Sequence, residues 1–88
     1  MPTLSLFYGI IVSMHQEIGT QHHIPHIHAE FFGQEISISL DGNILAGSFP
    51  KNKLKLLDAW MELHKEDLEA DWHLIQNGHE HFRIDPLK

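Results

Sequence analysis

Apolar and polar residues alternate along the first half of the chain, and the period lengthens near Pro50. The opening run "LSLFYGIIVSM" is apolar on both faces of an extended chain, with Leu4, Leu6, Tyr8, Ile10 and Val12 against Phe7 and Ile11. It predicts one strand over about 3–14, central in a sheet, with Gly9 marking a bulge or a close backbone contact. A polar loop follows through Thr20–His23, and Pro25, lacking an amide donor, suits the start of a strand. Three alternating runs then predict strands at about 26–32, 35–40 and 43–49. Gly33-Gln34 has the glycine-first pattern of a two-residue hairpin, and Asp41-Gly42-Asn43 is a second turn signal.

With Gly33 and Gln34 as the loop, Phe31 faces Ile36, Ala29 faces Ile38 and Ile27 faces Leu40. Odd positions before the turn then meet apolar partners, as cross-strand packing prefers. The opposite face carries Glu30 across from Ser37, His28 from Ser39 and His26 from Asp41. The third run adds Leu45, Gly47 and Phe49 to the apolar side. His26, His28 and Glu30 are thus expected on a polar face turned from the core.

From Pro50 the apolar positions Leu54, Leu57, Met61, His64, Leu68, Trp72 and Ile75 recur every three or four residues. One unbroken helix over Lys51–Asn77 would be ~40 Å long at 1.5 Å per residue, whereas a domain of this size is ~30 Å across. Two helices are therefore predicted, about 51–64 and 66–77, with Glu66 and Asp67 suited to the second N-terminus. Gly78 marks the helix end, and "HEHFRIDPL" reads as a short edge strand at about 80–85 with Phe82 and Ile84 inward. The expected architecture is α+β: residues 1–88 as a single domain, an antiparallel meander of four to five strands, and two C-terminal helices on one face.

Composition narrows the function. Six basic residues face twelve acidic ones, a formal charge of −6, which argues against binding a phosphate backbone. Having no cysteine rules out disulfide and thiolate–zinc scaffolds and is compatible with a cytoplasmic location. The opening apolar run lacks the basic flank of a signal peptide and the length of a membrane span. Two tryptophans, five phenylalanines and the expected edge strand in 88 residues predict a homo-oligomer or a small protein partner. Trp60 and Trp72 are the candidate core or interface anchors.

The chemistry concentrates in "QHHIPHIHAEFF" at 21–32. His26 and His28, at i and i+2 on a strand, lie ~6.7 Å apart on one face and can converge on zinc, nickel or copper. Glu30 is ~13 Å from His26 along the strand, so a third ligand must come from Asp41, the His22-His23 loop or another subunit. Asp41 alternatively orients His26, leaving His26, His28 and Asp41 as a candidate acid–base set for hydrolysis, including RNA cleavage. Lys51, Lys53 and Lys55 form the one basic cluster. His79 and His81 form a second His-x-His pair, and His64, on the apolar stripe, reads as a core histidine. On this reading His26 and His28 are exposed and tolerate alanine with little loss of stability.

The opening "MPTLSLFYGIIVSM", the centre "PHIHAEF", the stretch "GNILAGSFPK", the helix pattern from Trp60 to Trp72 and the close "RIDPL" together resemble a family of short bacterial proteins known only as domain of unknown function 4160. The matching positions are Pro25, His26, His28, Trp60, His64, Leu68 and Trp72. Genes of that family often neighbour another small protein of unknown function, and a toxin–antitoxin role has been proposed for such pairs. The resemblance thus implies a partner-binding component of such a gene pair, with metal binding or His-dependent hydrolysis as the alternative.

Overall fold

The computed structural model describes residues 2–17 and 24–88. It is α+β, with a five-stranded antiparallel sheet in the sequential order β1-β2-β3-β4-β5 followed by two helices. The strands are β1 (Thr3–Phe7), β2 (Ile10–Ser13), β3 (His26–Phe31), β4 (Gln34–Ser39) and β5 (Ile44–Gly47), and the helices α1 (Lys51–Leu63) and α2 (Lys65–Gln76).

The opening run is two strands rather than one. It folds back at Tyr8-Gly9, where both residues have positive φ (50° and 82°), the signature of a tight hairpin matched to strand twist. The same geometry recurs at Phe32-Gly33, with φ of 44° and 85°. The second hairpin therefore turns one residue earlier than the glycine-first pattern implies. Glycine takes the second loop position, and the observed pairs are Ala29 with Ile36, Ile27 with Ile38, His28 with Ser37 and His26 with Ser39. Relative to expectation the ladder slips by two residues. A two-residue slip preserves the faces, because side chains alternate with a period of two. Ile27, Ala29, Ile36, Ile38 and Leu40 are accordingly buried.

β5 departs further. An irregularity between Ser37 and Ile38 breaks the β4–β5 register, and Leu45 is 43% exposed instead of joining the core. Gly47 lies opposite Ile36 with φ of 83°, and its α-carbon passes so close to the Glu35 carbonyl that no side chain fits.

The helices break at His64, as expected from length: the molecule measures 33 Å along its greatest extent. His64 leaves helical geometry (φ −117°, ψ 25°), and Glu66 and Asp67 occupy the first turn of α2, where carboxylates favour the helix dipole. Its ring packs 5.6 Å from Trp60, and Nδ1 faces Asp67 at 3.6 Å. α2 closes in a Schellman arrangement around Gly78: the Gly78 amide donates to Ile75 and the His79 amide to Leu74.

Leu57, Trp60, Met61, Leu68, Trp72 and Ile75 cover one sheet face. Trp60 is fully buried, its ring 5.2 Å from Phe7 and its indole N–H donated to the Asp85 carbonyl at 2.8 Å. It is a core residue.

The C-terminal segment forms no strand. Only the Ile84 amide reaches β1, donating to Leu4 at 2.9 Å, and Phe82, expected inward, is 41% exposed. Asp71, fully buried on α2, accepts from the Phe82 amide at 3.0 Å through Oδ1, while Oδ2 has no hydrogen-bond partner. Burial pushes this carboxyl above its ordinary range. The fold then favours protonated Asp71, and its charge opposes stability increasingly as pH rises past the usual carboxylate range, about 4. Among the described residues, no helix is long and apolar enough to cross a membrane.

Candidate metal centre

β2 runs antiparallel to β3, with Ser13 opposite His28, so the chain leaving β2 passes the start of β3. The segment 14–17 is thereby laid along the two histidines. Glu17, His26 and His28 each offer one ligand atom, and these atoms all lie within 4.8 Å of one another. Among the described residues, no other group of His, Asp or Glu converges in this way.

The two histidines expected to share a strand face lie together here, whereas Asp41, expected opposite His26, lies apart from them. Asp41 lies at a turn, faces Lys65 at 3.4 Å and is exposed, while Ser39 stands opposite His26. The two-residue slip of the ladder removes Asp41 from the position expected to orient His26. Glu30 faces Glu35 and stays outside the group, and His22 and His23 lie outside the described residues. His79 is exposed and His81 half-buried on the C-terminal segment, not on a paired strand. Lys53 donates to the Tyr8 carbonyl at 3.2 Å and sits 4.9 Å over the Phe31 ring, so the lysine cluster is partly engaged in the fold.

His26 is also not exposed. It retains 7% of its surface, and its ring packs 5.3 Å from Trp72 of α2. The division into a helix-covered and a solvent face fails at this end of β3, where α2 and residues 14–17 close over the strand. Alanine at His26 would thus disturb packing as well as chemistry, contrary to its reading as a tolerant surface position.

Hydrogen bonding fixes the His26 tautomer. Nδ1 lies 2.7 Å from the Ile24 carbonyl oxygen, which only accepts, so Nδ1 carries hydrogen and donates. In a neutral ring Nε2 then presents a lone pair, and it faces Glu17 Oε1 at 2.9 Å. Lone pair and carboxylate at this distance require a positive species between or beside them: a proton on Nε2, or a metal ion bound by both. Donation of the distal N–H to a backbone carbonyl is the arrangement that orients metal-ligating histidines.

His28 completes the geometry. Its Nδ1 lies 3.2 Å from Ser37 Oγ, and its buried Nε2 is 3.6 Å from Glu17 Oε1, with no hydrogen-bond partner among the described residues. Ligands on a tetrahedral ion with ~2.0–2.1 Å bonds stand ~3.3 Å apart, so the 2.9 and 3.6 Å separations bracket that spacing. His15 packs edge-on to His28, ring centroids 4.2 Å apart. Burial, and then the neighbouring His28, push the His15 imidazole below its ordinary range.

The uncovered sheet face forms an open groove of about 530 Å³ that includes His15, His28, Ser13 and Ser37. Ser13, His28, Ser37 and Ala46 are successive cross-strand neighbours, and beside these short residues the His28 ring is partly exposed to the groove while its Nε2 stays buried. In the next row Glu30 and Glu35 stand directly opposite each other, and no Lys or Arg lines the groove.

Glu17 lies outside the histidine-rich motif, in a stretch that reads as loop. The signal that finds it is topological: a turn at Tyr8-Gly9 makes 10–13 a separate strand, and its pairing with β3 brings Glu17 back to His26.

No curated protein and no solved structure matches the chain. The family described as a domain of unknown function (DUF4160) matches residues 9–73, which contain β2 to β5, α1, most of α2 and all three residues of the centre. By that match the chain belongs to the DUF4160 family.

Proposed function

We propose that this protein binds a divalent transition metal through Glu17, His26 and His28 and uses it in a hydrolytic reaction at the open sheet face. The observation that supports this most is the His26–Glu17 contact: with Nδ1 committed to Ile24, Nε2 and the carboxylate converge on one cationic position. Two imidazoles and one carboxylate suit zinc, nickel or copper. Three protein ligands leave a coordination position free, and a metal there would act as a Lewis acid and activate water. Away from the metal, Glu30 and Glu35 disfavour a polyanion on the groove, and among the described residues no Lys or Arg lines it to offset them.

Metal-free protein titrated with zinc at neutral pH is expected to take up one equivalent, with the His26 and His28 ring resonances shifting together. Uptake should weaken on acidification, since protons compete for the same nitrogens. Substoichiometric uptake, or shifts confined to other histidines, would sink the proposal.

A second reading, partner binding within a toxin–antitoxin-type gene pair, is supported by the edge strand β5. All four of its residues are exposed, Ile44 by 51%, and it carries none of the charges or prolines that protect free edges. Strand addition there predicts a homodimer or a stable complex with a small partner. Light scattering of the protein alone and with the product of the adjacent gene tests this; a monomer in both would discard it.

A further inference from the structure

We propose that Gln76, at the end of α2, is the positioning residue of the centre, so that docking of α2 sets the affinity for metal. The inference rests on the metal-binding reading above. Beyond Ser13 the chain leaves the β2–β3 ladder, and residues 15–17 have no strand neighbour among the described residues to fix them. The Gln76 side chain takes that place. Its Oε1 accepts from the Glu17 amide at 2.8 Å, and its Nε2 donates to the His15 carbonyl at 2.7 Å. One primary amide thus bridges two alternate backbone groups, as a neighbouring strand would.

Side-chain chemistry is selective here. The position needs an acceptor and a donor at the end of one chain of fixed length. Glutamate lacks the donor, lysine lacks the acceptor and asparagine is one methylene shorter. Trp72, four residues earlier on the same helix face, packs against His26, and the intervening Ile75 is buried in the core. One helix therefore supports two of the three ligands, the carboxylate through Gln76 and an imidazole through Trp72. A shift of its last turn moves Glu17 relative to both histidines.

The test compares zinc affinity, by competition with a chromophoric chelator, in the parent, Gln76→Met and Asn77→Ala. Methionine keeps length and packing but makes neither hydrogen bond. Asn77→Ala removes an exposed bond to the His73 carbonyl at the same helix end, leaving the Gln76 bonds to residues 15–17 in place. Gln76→Met is expected to bind zinc ~10–100-fold more weakly, the loss typical of a removed supporting group, and Asn77→Ala to match the parent. Equal affinity of the parent and Gln76→Met, or an equal loss in Asn77→Ala, would overturn the proposal while leaving the metal site standing. A parent that binds no zinc overturns both. Hydrogen exchange on the parent decides the matter if Gln76→Met does not fold. Zinc should then slow exchange of the Glu17 amide and of the last turn of α2, but not of β5, and uniform or absent protection would refute the coupling.

Discussion

Glu17→Gln is expected to abolish tight zinc binding while leaving the metal-free protein as stable as the parent or more so. Glutamine has the same shape but carries no charge and offers an N–H. Rotated toward His26, that N–H donates to the Nε2 lone pair that the neutral tautomer presents, so the metal-free contact is satisfied without a shared proton. Metal gains nothing comparable, because a neutral amide is a poor ligand for a transition ion. The loss should exceed ~100-fold, beyond what removal of an outer supporting group costs. Chelator competition gives the affinity and thermal melting in chelator gives the stability. A variant that binds zinc like the parent would remove Glu17 from the ligand set. The substitution is more informative than alanine at His26, which would also empty packed volume beneath Trp72.

Gly47→Ala is expected to cost on the order of 3–5 kcal/mol of folding stability, among the larger effects of single substitutions. The backbone alone accounts for about 1–2 kcal/mol, since φ is 83°. The remainder is steric: an added β-carbon would overlap the Glu35 carbonyl oxygen and lie 3.2 Å from Ile36 Cα, both parts of the paired strand. Gly33→Ala is the control. It has a similar φ of 85° but nothing within 4 Å of the added carbon, so it reports the backbone term alone. A protein of this length has about 4–13 kcal/mol in total, so Gly47→Ala should be largely unfolded at modest urea concentrations. If the two variants have the same denaturation midpoint, β4 and β5 do not approach as closely as described.

What the sequence made legible follows from periodicity. Alternation with period two revealed which residues of β3 and β4 face the core, and the change of period at Pro50 located the helices. Pairing was less legible, because Phe32-Gly33 and Gly33-Gln34 are both acceptable two-residue loops and differ only in which positions take positive φ. Tyr8-Gly9 was hidden for a related reason: an aromatic residue in the left-handed region does not read as a turn inside an apolar run. Missing that turn concealed Glu17, whose approach to His26 depends on β2 existing as a strand. His26 and His28 were visible because two imidazoles on one strand face are a local pattern. Their carboxylate partner is non-local, and the nearer-looking Asp41 depended on a register that the hairpin does not adopt.

The meander also has a kinetic consequence. Every strand pairs with its neighbour in sequence, so each ladder closes only a modest loop and the sheet can assemble by successive local steps. Long-range closure is left to the helices and to the C-terminal segment, where Ile84 reaches back to Leu4 across nearly the whole chain and the Asp85 carbonyl accepts from the Trp60 indole. This contact closes the longest loop and forms best once sheet and helices are in place. The segment thus behaves as a late-forming clasp: weakening it should speed unfolding while leaving the folding rate nearly unchanged.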